Sequence, residues 1–203
     1  MISAGLWREG CASLAEYACG FGAGRSKDDP IYAQVTEGRD VGAMRARYSS
    51  CGDLGHWLLW RLGAREAWLN RSALGQYRIG QNISLLAAQG RAPTPEWIPA
   101  RGEIVLVWNN PQGADAHCCV VLGYGAGVLR TANYGAGGMS AAASPGARIS
   151  SASCRLVTGH WQYGLRRVQR VLDPGRWLPG SAAPDLTGAP LSGEEIDAFL
   201  LSR

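Results

Sequence analysis

Hydrophobic residues change their spacing once along this chain. Over residues 1–24, Leu6, Cys11, Leu14, Ala15 and Ala18 recur at roughly helical intervals, and the run ends in the glycines of CGFGAG, which predicts a first helix. The polar run RSKDDP breaks the pattern, and no element is predicted from there to about residue 46. The strongest helix is predicted in SSCGDLGHWLLWRLG. There Leu54, Trp57, Leu58 and Leu62 follow the i, i+3, i+4 rule, either serine can serve as N-cap, and Gly63 ends the helix. REAWLNR and NISLLAAQG continue as helical pieces up to residue 90, before the proline-rich RAPTPEWIPARGE, which cannot be regular structure.

Beyond that connection the period shortens. EIVLVWN, AHCCVVLGY and GVLRTANYG are short runs rich in valine, leucine and aromatics, bounded by glycine, asparagine and aspartate, and they predict an antiparallel meander. GAGGMSAAASPGARISSAS reads as a loop of small residues, and CRLVTGHWQYGLRRVQRVLD as one or two further strands. Helices followed by strands make an α+β order rather than alternating βαβ units. Residues 1–172 are expected to form one domain; residues 173–203 read as a Pro/Gly-rich linker and a short amphipathic helix opened by a capping box, Ser192 with Glu195.

Composition narrows the class. At 203 residues and 46% hydrophobic, the chain can bury one good core. The net charge of +4 is carried almost entirely by arginine, Lys27 being the one lysine. It suits an anionic polymer such as a cell wall but is too diffuse for nucleic-acid binding. No stretch reaches the roughly 18 apolar residues of a membrane helix. The start lacks a basic segment followed by a clean apolar run, so a protein made in the cytoplasm without a standard signal peptide is expected. Cys11, Cys19, Cys51, Cys118, Cys119 and Cys154 show neither CxxC nor metal-ligand spacing, so no metal and no cofactor are predicted; a Cys11–Cys19 bridge stays open.

One cysteine stands apart by position. Cys51 falls in the first turn of the predicted helix, beside unpaired backbone N–H groups and the positive end of the helix dipole, which favour thiolate over thiol. A nucleophile needs a base, and the chain has three histidines. His56 lies five residues on, rotated away by roughly 140° on the same helix. His160 sits in the turn-like VTGHWQYG. His117 opens an apolar strand from which its side chain can project toward a helix packed on the sheet, and it is the preferred base. For the group that orients the base, Asn133 on the following strand is favoured over the nearby Asp115.

SSCGDLGHWLLWRLG, ARGEIVLVWN and AHCCVVLGY, in that order over about residues 45–135, resemble the motifs of the NlpC/P60 and CHAP peptidases: a cysteine opening a helix, a PGDIV-type turn into the first strand and a histidine opening the second. The resemblance implies a papain-like α+β fold with N-terminal helices packed on an antiparallel sheet, and cleavage of peptide or amide bonds in peptidoglycan. Matched residue by residue, it implies Cys51 as nucleophile, His117 as general base and Asn133 as the polar orienter. The context departs from the family's in SSCGD, which replaces DCSG, and in ARGE, which replaces PGD. Tyr48 is the candidate side-chain donor to the oxyanion, and Asp53, His160 and Trp161 complete the candidate oxyanion and substrate contacts. Trp7, Trp97, Trp161 and Trp177 read mainly as core or rim packing, with a groove role as the alternative.

The function expected from this reading is a cysteine peptidase or amidase acting on peptidoglycan stem peptides, in the periplasm or at the wall after secretion, injection or lysis. An antibacterial effector or a phage lysin fits, with an immunity protein as partner in the first case. The alternatives are an acyltransferase or deamidase, or a non-catalytic wall-binding or interaction module in which Cys51 is merely packed.

Overall fold

In the computed structural model, residues 4–36, 50–64, 81–109, 116–135 and 146–176 are described. Among the described residues four α-helices come first: α1 (Ala4–Ala18), α2 (Pro30–Thr36), α3 (Cys51–Arg61) and α4 (Gln81–Gln89). Six strands follow: β1 (Ile104–Val107), β2 (His117–Gly125), β3 (Val128–Tyr134), β4 (Ala147–Val157), β5 (His160–Tyr163) and β6 (Arg166–Leu172). All pairings are antiparallel and run in chain order, and β6 returns to pair with β1, so the sheet closes into a barrel.

That closure corrects the expected papain-like α+β arrangement of helices on an open antiparallel sheet. Val105 and Val107 of β1 point into the barrel with Cys119, Val121, Leu129 and Val171, while Ile104 and Leu106 point outward to the helices with Leu54, Leu58 and Trp57. A strand buried on both faces must be apolar at every position, as IVLV and CCVVL are, and cannot show the alternation of a half-solvated sheet. Register shifts at Leu106/Val107 and Val121/Gly123 supply the bends that closing a sheet requires.

Two predicted loops are elements. ARISSAS lies within β4, whose residues Ala147–Ser153 pair with β3 and whose residues Cys154–Val157 pair with β5. Its serines and alanines hid it, because strand propensity is supplied here by two neighbouring strands rather than by side chains. α2 falls in the stretch assigned no element; its seven residues are too few to show a helical period. The predicted REAWLNR piece, Tyr48, Asp115, Trp177 and the C-terminal helix lie outside the described residues.

The helices lean on one side of the barrel, and α3 presses closest. A Cβ added at Gly55 would stand 2.9 Å from Leu86 Cδ1 and 3.4 Å from Cys118 Sγ, so a residue with poor helix propensity is what lets α3 seat against β2. The ARGE turn leading into β1 is clamped by Glu103, whose carboxylate accepts from the Trp97 indole and the Ala100 N–H, each at 3.0 Å. Burial pushes the Glu103 carboxyl up despite these donors and the nearby Arg8 and Arg91. After β6, Asp173 is held by the Arg8 guanidinium of α1.

Candidate active site

The start of α3 is positioned by α2 and β3. Ser50 occupies the N-cap position, but its hydroxyl makes no cap bond. It hydrogen-bonds instead to Tyr32 Oη at 2.7 Å. Tyr32 stacks on Tyr134 with ring centroids 4.9 Å apart, and Tyr134 donates to the Ala18 carbonyl at 2.8 Å. Gly135, at φ +66°, then passes so close that a Cβ there would lie 3.4 Å from Cys51 N. The helix start is thus docked on the end of β3, where His117 of the neighbouring β2 also begins.

Cys51 and His117 are hydrogen-bonded to each other through their side chains, and Cys51 Sγ lies 4.0 Å from the carbonyl oxygen of Ala116. Cys51 is buried and His117 half-buried, so the pair meets solvent on the imidazole side. The other imidazole contact is His117 Nε2 to Asn133 Oδ1 at 2.9 Å. Cys119 is the register partner of Asn133, so His117 and Asn133 are diagonal neighbours on one face of the β2–β3 pair.

The tautomer follows from what surrounds the amide. Asn133 Nδ2 donates to Thr131 O, Thr131 Oγ1 and Ser150 Oγ, each at 3.0 Å. A backbone carbonyl only accepts, so the NH2 group must face Thr131 and the amide oxygen must face His117. Nε2 therefore carries the proton donated to Oδ1, and Nδ1 is left for Cys51. Tyr163 closes the network, its hydroxyl 2.7 Å from Thr131 Oγ1 and bonded also to Ser150. Burial pushes the Tyr163 phenol up, keeping its proton available for these bonds.

Electrostatics favour a charged imidazole. Burial pulls the His117 pKa down, but the hydrogen bond and charge of Cys51, with help from Asn133, outweigh burial and the opposing Arg166, so it stands above its usual 6.5. The other five cysteines are all buried free thiols, as is fitting for packed side chains, and no Cys11–Cys19 bridge forms. Burial drives every one of them up, Cys154 to about 11 and Cys19 to about 12.

Of the remaining candidates, His160 and Trp161 are not gathered here. Asp53 is fully buried in the first turn of α3, and His56 is buried on the same helix. His160 is exposed and pairs with Val157 at the end of the barrel away from His117. Trp161 lies inside the barrel, edge-on to Trp97 at 5.2 Å, with its indole donating to the Thr94 carbonyl at 3.0 Å. Trp7 and Trp97 are likewise buried. Thr131, Ser150 and Tyr163, which hold the Asn133 amide, went unrecognised in the sequence; a threonine two residues before the asparagine on one strand face was the available signal. Among the described residues, no group of three or more His, Cys, Asp or Glu is placed to hold a metal, and no helix is long and apolar enough to cross a membrane. Comparison with protein-family models, curated proteins and solved structures finds no match to this chain.

Proposed function

We propose that this protein is a cysteine hydrolase of peptide or amide bonds, with the stem peptides of peptidoglycan as its substrate. The observation that carries the chemistry is the chain of hydrogen bonds from Cys51 to His117 to Asn133, with the thiol at the start of a helix. The substrate rests on the order of the cysteine, turn and histidine motifs and on the excess of arginine. Action on the wall takes place outside the cytoplasm, and an immunity protein is the expected partner if the chain is a toxin.

The reaction follows from the assignments above. The proton of Cys51 passes to His117 Nδ1, and the thiolate attacks the substrate carbonyl carbon. The negative charge that develops on oxygen is met by backbone N–H groups at the start of α3, including that of Cys51. The imidazolium returns its proton to the leaving amine, the C–N bond breaks, and a thioester remains. Water then attacks the thioester with His117 as base, releasing the acid and the thiol. Asn133 keeps Nε2 protonated and Nδ1 aimed at sulfur throughout both half-reactions.

The test is digestion of purified peptidoglycan by wild type and by Cys51→Ala, with products read by mass spectrometry. New amine and carboxyl termini are expected with wild type alone; the same products from both proteins would end this reading. A product that carries an added amine acceptor in place of water identifies an acyltransferase instead.

A further inference from the structure

Two arginines stand at the edge of the site, and the reaction as written uses neither. Arg148 of β4 is the register partner of Asn133, and Arg166 of β6 is the register partner of Tyr163. Partners across an antiparallel pair share a face, so each arginine belongs to the row that carries the His117 network. Ser150, two residues beyond Arg148 and therefore on the same face, accepts from the Asn133 amide at 3.0 Å. Ala147 of β4 bridges to Arg25, but over residues 148–153 β4 has β3 on one side and no strand on the other among the described residues, because β5 pairs only from Cys154 onward. Arg148 lies on that open edge and Arg166 begins the strand beyond it. Both are exposed.

Among the described residues their charge is not matched. Arg8, Arg25, Arg91, Arg101 and Arg130 each pair with a carboxylate. Among the described residues no carboxylate pairs with Arg148 or Arg166, and Asp53, the acid in the first turn of α3, is fully buried. Arg166 is near enough that its charge opposes protonation of His117. Among the described residues Arg166 is the one cation that opposes the imidazolium, and an anion arriving with the substrate offsets it.

We propose that Arg148 and Arg166 form an anion subsite that binds a carboxylate of the substrate next to the bond attacked by Cys51. The substrate class is then an acidic peptide, with a free carboxylate on a side chain or at the terminus beside the cleaved amide. Its arrival offsets the two guanidinium charges and adds to the hold that Cys51 and Asn133 already have on the imidazolium. This rests on the Cys51–His117 reading above.

Competitive alkylation tests the subsite without a known substrate. Iodoacetate and iodoacetamide form the same S–C bond and release iodide, but only the first carries a carboxylate. The ratio of their rates at Cys51 is measured near pH 6 by peptide mass spectrometry and compared between wild type and the exposed-site variants Arg148→Gln, Arg166→Gln and the double variant. Within each protein His117 acts on both reagents alike, so a change in the ratio belongs to the arginines and not to the base. The expected result is an iodoacetate-to-iodoacetamide ratio about tenfold lower in the double variant, and a wild-type ratio that falls as salt is raised. If Cys51 reacts with iodoacetamide in a His117-dependent way while the ratio is the same in all four proteins, the subsite is overturned and the dyad stands. A Cys51 inert to both reagents overturns the two together.

Discussion

Gly135→Ala separates backbone strain from damage to the site. Gly135 sits at φ +66°, and an added Cβ would meet Ser50 Oγ at 3.3 Å, Cys51 N at 3.4 Å and Cys51 Cβ at 3.7 Å. The left-handed conformation costs alanine about 1–2 kcal/mol. The crowded atoms belong to the start of α3, and they relieve the contact only by moving a few tenths of an ångström away from β3, which moves the thiol away from His117. Gly127 offers the control: it has φ +73°, and its Cβ would meet nothing nearer than Cys154 O at 4.0 Å. Both variants should therefore lose about 1–2 kcal/mol in urea unfolding, or roughly 2–8 °C in Tm. Gly135→Ala alone should also slow iodoacetamide labelling of Cys51 near pH 6, by about three- to tenfold, since sub-ångström misplacement already weakens a positioned pair. Equal labelling rates in the two variants would refute the claim that the passage of Gly135 sets the position of Cys51.

Two further expectations bear on the network. In wild type, His117 should titrate above 6.5 by NMR, and Cys51→Ala should lower that midpoint, because it removes the hydrogen bond and charge that outweigh burial. The raised folded-state value means that this group's contribution to stability is present below the unfolded pKa near 6.5 and is lost as pH rises through the folded midpoint; an unchanged midpoint in Cys51→Ala would contradict the pairing. Asn133→Leu leaves the His117 Nε2–H without its acceptor, while the hydroxyls of Thr131 and Ser150 keep Tyr163, so it should cost about 1–3 kcal/mol for that one stranded group. It should also shift His117 away from a single Nε2–H tautomer, read from its ¹⁵N shifts; an unaltered tautomer would show that Asn133 does not orient the ring.

Cys51, His117 and Asn133 could be picked out of the chain because their signals are local: a cysteine where a helical period begins, a histidine where an apolar run opens, and an asparagine one hairpin later. The short apolar runs marked β1, β2 and β3 for the same reason, since burial on both faces writes itself into consecutive residues. What decides how these pieces meet is not local. The return of β6 to β1 joins residues more than sixty apart, and the register shifts that bend the strands depend on both partners, so the sequence reads equally well as an open sheet. β4 is a strand because two neighbours hydrogen-bond its backbone, although its serines and alanines carry little strand preference of their own. His160 and Trp161 attracted attention by type, yet strand pairing carries one to the far end of the barrel and packs the other in its interior. The amide network of Thr131, Ser150 and Tyr163 draws on three strands, and no spacing within one strand could reveal it. The sequence by itself determined which residues can do chemistry, because helix starts and strand entries are short-range features; only the tertiary structure decided which of them face each other, because that depends on how the barrel closes.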